Sequence, residues 1–221
     1  MNEFIGLFAE SDPANVSTSV KLLLLLTVLS LAPSLLILMT SFLRIVIVLS
    51  FVRTSLATGQ MPPNQVIIGL ALFLTFFIMT PVFTEVNEEA LQPLFAEEIG
   101  IEEAYERAAV PFKEFMAGHT RQQDLELFLE YNQAEAPESV EDIPLTMLVP
   151  AFVISELKTA FQMGFMVFIP FIVIDMIVAG TLMAMGMMML PPVMISLPFK
   201  ILLFVLVDGW YLIMKSLLVS F

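Results

Sequence analysis

Charge is missing from five long stretches of this chain, 22–43, 54–84, 143–155, 159–174 and 176–199, and is crowded into one other. A helix that crosses a bilayer needs roughly 20 apolar residues. The uncharged stretches, alone or joined, therefore supply at least four candidate spans. Only 14% of the residues are charged, against about 25% in ordinary soluble domains. The expected fold class is all-α: a polytopic, membrane-associated helical protein with broken helices, helical hairpins and a small acidic helical insertion.

The charge that exists is segregated. Residues 85–142 hold 16 of the 22 acids and three of the nine bases, and so carry the whole net charge of -13. This divides the chain into a polar N-terminal lead (1–20), an N-terminal apolar hairpin (21–83), an acidic insertion (84–146) and a C-terminal apolar hairpin (147–221). No basic footprint for nucleic acid is present. The absence of cysteine excludes disulfides, thiol nucleophiles and cysteine-ligated metals. Residues 1–20 have no basic stretch leading into an apolar one, so they do not read as a cleavable signal peptide.

Gly59 and Pro62-Pro63 predict a loop over 53–63, with Asn64 as N-cap of the next helix and Pro81 as its end. Within the insertion, Ile101, Tyr105, Ala108, Phe112 and Phe115 recur at helical spacing and predict one inward face. Pro111 is expected to kink that helix or to mark its start. Thr120 and Gln123 fit a capping box for a second helix with Leu125, Phe128 and Leu129 inward. Pro150 and Pro170 predict kinks in the apolar stretch 145–180, and residues 199–221 read as one last helix. Arg44 and Arg53 flank the 53–63 loop and favour a cytoplasmic position for it, which puts the insertion outside.

Residues 183–189 contain five methionines, and Pro191-Pro192 follow closely. Three consecutive methionines cannot share one helix face, so Met187, Met188 and Met189 predict an irregular loop shaped by Gly186, Pro191 and Pro192. Irregular backbone at membrane depth is tolerated where it is buried in protein or lines a cavity. Methionine is apolar and flexible. A ring of such loops, one from each of several copies, would exclude water and ions by dewetting and still deform around a passing polypeptide. The alternative is plain gap-filling within one core.

Arg44, Glu156, Lys158, Asp175, Lys200 and Asp208 interrupt apolar sequence. Each costs about 2.5–3.5 kcal/mol at a bilayer centre, so such groups pair, face water or snorkel to the interface. Glu156 and Lys158 point to different sides of a helix, which leaves Lys200 as a candidate partner for Glu156. Asp175, isolated in FIPFIVIDMIVAG, suits either a proton relay or a structural pair with a Lys or Arg. Catalysis has no foothold: motifs for zinc proteases, serine hydrolases, nucleotide loops and dinucleotide binding are absent. The one histidine, His119, is expected in solvent, the paired glutamates lack a calcium-loop spacing, and neither metal nor cofactor is expected.

Two long strings, LILMTSFLRIVIVLSFVRTSLATGQMPPNQVIIGLALFLTFFIMTP and LVPAFVISELKTAFQMGFMVFIPFIVIDMIVAGTLMAMGMMMLPPVMISLPFKILLFVLVDGW, cover nearly all of the apolar body. They resemble the FliP/SctR family of type III secretion export-gate proteins. The resemblance implies a core subunit of a ring, with five copies, that joins FliQ and FliR and conducts unfolded flagellar subunits across the bacterial cell membrane within the flagellar basal body. FlhB and FlhA are implied as further partners, and the export ATPase and proton motive force as energy sources. It also implies that much of the assembly is raised toward the outer side of the membrane. The family's methionine gasket maps onto Met187, Met188 and Met189, and its inter-subunit charge pair onto Glu156 and Lys200. Many relatives carry a cleaved signal peptide, and the lack of one here suggests a Gram-positive-like form. The rival class is an ion-coupled membrane transporter that uses Asp175 and the broken helices, against which the lack of an internal repeat speaks.

Overall fold

In a computed structural model the described residues are 22, 23, 26, 27, 30, 34, 37–133, 137, 139–187 and 189–221. The polar lead and Met188 lie outside them. The chain forms two compact units, residues 1–38 and 39–221. In the first, the described residues are helical. Thr27 and Ser30 donate their hydroxyls to the carbonyls of Leu23 and Thr27, which keeps both hydroxyls satisfied without leaving the helix.

The second unit is helical throughout, with no strand among the described residues. Its elements are α1 (Phe42–Ser55), α2 (Asn64–Val86), a π-helical turn (Asn87–Leu91), α3 (Gln92–Phe95), α4 (Ile101–His119), α5 (Gln122–Tyr131), α6 (Leu145–Ala184), α7 (Pro192–Leu206) and α8 (Gly209–Val219). Two stretches, Asn64–Phe95 and Leu145–Ala184, are long and apolar enough to cross a membrane, and α7 with α8 form a third candidate bent by 62°. At about 1.5 Å per residue, the 40 residues of α6 reach roughly 60 Å. That is about twice a ~30 Å hydrocarbon core. The helix therefore has room for both a docking half and a spanning half.

The first half of α6 holds the insertion. Leu148 and Phe152 form a core with Met116 of α4 and Ile143, flanked by Phe112, Phe115 and Leu125. Further along, α1 lies against α6, with Ile45, Val48, Leu49 and Val52 buried beside Ala160. The approach depends on small residues four apart on α6, Ala160 and Gly164. A Cβ at Gly164 would come within 2.5 Å of the Phe51 ring. The same ring meets Phe161 edge-on at 5.3 Å.

Several sequence expectations about boundaries are corrected. Pro81 does not end its helix: α2 continues to Val86, and the hydroxyls of Thr80 and Thr84 donate to carbonyls around the proline. Pro111 likewise does not mark the start of α4, which begins at Ile101 and holds the proline buried inside it; Pro150 and Pro170 lie within the span of α6. Asn64 is the first helical residue, with Pro63 as N-cap, because its side-chain oxygen accepts from Arg53. The capping box is not formed: Thr120 ends α4 and donates to the Met116 carbonyl at 2.7 Å, while Arg121 precedes α5. The inward face of α4 holds only in part. Phe112 and Phe115 are half-buried, but Ile101 and Tyr105 are exposed and the fully covered residue is Met116. The last helix is broken at Val207-Asp208 into α7 and α8.

Candidate functional site

The end of α6 shapes the methionine loop. The amide of Met187 donates to the Leu182 carbonyl and that of Gly186 to the Met183 carbonyl, both at 3.0 Å. Together these bonds form a Schellman cap. Its left-handed residue is Gly186, with φ +75°, where a side chain would be strained. Helix α7 then starts with Pro192 in its first turn and Pro191 as N-cap. The double proline thus launches the next helix, a position where the missing N–H costs nothing. Met189 is 98% exposed and Met187 39%. Met183 belongs to α6 and Met185 is its C-cap. Neither exposed loop methionine fills a core within the chain.

The buried charges are paired, though not as the sequence suggested. Glu156 is fully buried, and both of its oxygens accept from Arg44: Nε reaches Oε2 at 2.8 Å, and Nη2 bonds Oε1. Arg44 Nη1 also donates to the Ser220 carbonyl at 2.6 Å and to its hydroxyl at 3.0 Å. The guanidinium lies 3.7 Å from the centre of the Phe221 ring, a cation–π contact. Lys200, 3% exposed, donates to Asp175 Oδ2 at 2.6 Å, and Ser196 donates to Oδ1 of the same carboxylate. Within one chain, then, Glu156 takes Arg44 and Lys200 takes Asp175. The reason is geometric. Both members of the first pair lie where α1 crosses the docking half of α6, whereas Lys200 and Asp175 face each other where α7 folds back along the end of α6. Of the remaining charges, Lys158 is exposed on α6. Asp208 is exposed in a left-handed conformation, φ +51°, at the break before α8.

The insertion is fastened beside this pair. Ser155 donates to Asp124 Oδ2 at 2.6 Å and accepts from the Arg121 backbone amide at 3.0 Å, while Arg121 closes onto Asp124. Sequence reading missed this triad, because Asp124 and Ser155 look like ordinary polar residues until burial is known. His119 is only partly in solvent. It is half-buried between Phe115 and Phe221, with centroid separations of 4.7 and 5.2 Å, and its Nδ1 lies 2.7 Å from the Phe115 carbonyl. Phe221 therefore touches both Arg44 and the insertion. The orientation signal changes as well: Arg44 is spent on Glu156, which leaves Arg53 as the arginine at the 53–63 loop.

A protein-family model described as "FliP family" matches residues 25–217. This chain belongs to the FliP family. It is 73% identical over 221 residues, the full length of both chains, to the flagellar biosynthetic protein FliP of Bacillus subtilis. It is 55% identical to the FliP of Pectobacterium carotovorum over 92% of this chain and 79% of that one. Identity to the FliP of Aquifex aeolicus is 51%, over 94% of this chain and 87% of that protein.

Proposed function

We propose that this FliP-family chain is a membrane-embedded component of flagellar protein export, a core subunit of a ring that conducts unfolded flagellar subunits, with the methionine loop sealing the closed pore. The observation that carries the reading is the exposure of Met187 and Met189 on a loop between the cap of α6 and the double proline, flanked by the long apolar α6 and the bent α7–α8 pair. A methionine that packs nothing in its own chain is available to others. Around an axis, copies of this loop form a deformable apolar constriction that dewets when empty. Met188 takes its role here from its neighbours in sequence. FliQ, FliR, FlhB and FlhA are the partners of this reading, which makes the chain a conduit and not a catalyst.

The Glu156–Lys200 contact between copies belongs to the same proposal, with a condition attached. A carboxylate has about four acceptor sites and an ammonium three donors, so each group retains capacity beyond its partner in the chain. Both are covered, however, so a neighbouring copy must displace part of that cover.

Against the ion-coupled carrier stands the state of Asp175, held by Lys200 and Ser196. The open groove of about 470 Å³ beside the α7–α8 bend is lined by apolar side chains such as Met163, Pro170 and Phe204, and Asp175 is not among them. A small-solute site needs a few convergent polar groups. The deciding experiment replaces Met187, Met188 and Met189 together by Ala and records ion conductance of the closed complex in a planar bilayer. Leak should rise clearly; unchanged conductance would overturn the gasket.

A further inference from the structure

We propose that the insertion carries a docking face for a basic, apolar-studded segment of another protein, centred on Phe95, Ile101 and Tyr105. These side chains are 81%, 80% and 66% exposed. Ile101 and Tyr105 are one helical turn apart on α4 and share a face, and α3, which ends at Phe95, packs against α4. Large apolar side chains left open together at the end of a water-facing cap mark an interaction site more often than chance. Tyrosine is among the residues enriched in interfaces.

Charge selects the occupant. Eight acids and one base lie between positions 85 and 107, and all eight acids are exposed. The base, Arg107, is already held by Glu103 at 2.5 Å. The other two bases of the insertion are also engaged, Lys113 with the Glu141 carbonyl and Arg121 with Asp124. Among the described residues, no base other than Arg107 pairs with this rim. A second copy would bring the same negative rim, and like charges brought within a Debye length of about 8 Å repel. An anionic lipid surface is disfavoured for the same reason. A divalent cation bridge finds no support either, since no cluster of three or more potential ligands exists among the described residues. A cationic segment with large apolar residues satisfies both the rim and the centre.

The rim is also held in place. Glu98 donates its amide to the Pro93 carbonyl and Glu97 to the Leu94 carbonyl, so α3 ends in the same Schellman pattern as α6. The left-handed position, φ +59°, is occupied by Glu97 where glycine is favoured. The backbone of Glu97, two residues after Phe95, is thus held in a conformation that disfavours any side chain.

The test uses the full chain in nanodiscs of zwitterionic lipid and, as probe, a fluorescent helical lysine–leucine peptide, with a glutamate–leucine peptide of the same apolar spacing as control. The lysine peptide should bind, and the double variant Ile101→Ser/Tyr105→Ser should weaken it about tenfold with an unchanged thermal unfolding curve, both residues being exposed. Glu97→Gly should weaken binding several-fold while leaving stability equal or higher, because it removes a charge and relieves the left-handed residue together. Three results would overturn the proposal: an affinity indifferent to the double variant, equal binding of the glutamate peptide, or a loss of self-association in the double variant by sedimentation, which would make a second copy the occupant.

Discussion

Arg44 and Glu156 show how much a single buried pair can hold. The pair joins α1 to α6, and through Ser220 and Phe221 it also reaches the end of the chain and the insertion. Breaking a buried pair from one side leaves the other charge stranded, at about 3–5 kcal/mol. Arg44→Ala is therefore expected to destabilise the chain by about that amount in detergent denaturation titrations. The double variant Arg44→Met/Glu156→Met should recover most of the loss, since two apolar groups of similar length leave no charge behind. Lys200 makes a sharper case. Lys200→Ala should cost roughly 1–3 kcal/mol in the isolated chain, less than a fully buried pair because Asp175 is partly exposed. Adding Asp175→Ala should restore stability if the pair within the chain is what Lys200 serves. If stability returns while assembly on native gels stays impaired, the Lys200 contact with a neighbouring copy carries the assembly defect. Pairing was the least legible feature at this scale. Six charged residues in apolar sequence each announced a need for a partner, but the Arg44–Glu156 separation of 112 positions leaves no local signal of who meets whom.

The elements were legible in kind and less so in their limits. Among the described residues the uncharged stretches are mainly helical, broken by the loops at 56–63 and 185–191, and the acidic stretch forms short helices. Prolines misled, because a proline removes one backbone bond of a helix and need not end it. In α2 the Thr80 and Thr84 hydroxyls bond the Phe76 and Thr80 carbonyls and not the Phe77 carbonyl that Pro81 leaves without its amide, yet the helix continues to Val86. Glycines were more informative after the fact. Gly164 exists to admit the Phe51 ring, so Gly164→Val should force α1 and α6 apart, at about 1–3 kcal/mol of overpacking, with loss of thermal stability as the measurement. Gly186 serves the α6 cap through its backbone. Gly186→Ala should cost about 1 kcal/mol and, in the proposed gate, shift the loop enough to raise leak without abolishing the fold. Ordinary conductance in that variant would mean that the loop is positioned by its prolines alone.

For the molecule as a whole, the docking of the insertion onto α6 predicts that its deletion acts on assembly before insertion into the membrane. Removing residues 97–135 should leave a membrane-inserted product in fractionation and reduce the yield of complexes. Loss of insertion would refute the separate cap. A native mass of the purified assembly decides between the gate and the carrier: a multi-protein ring against a monomer or dimer. The amino-acid sequence by itself determined the class of the protein, because hydropathy and charge segregation are sums over residues that need no partner in space. It also determined the location of the methionine loop, since Gly186, three methionines and two prolines are local instructions. What only the tertiary structure decided was the pairing of Glu156 with Arg44, the fastening of Asp124 to Ser155, and the exposure of Ile101 beside the burial of Met116. These depend on which helix faces which. That choice is made by packing α1 and the insertion onto one long helix, over sequence distances at which no residue pattern carries information.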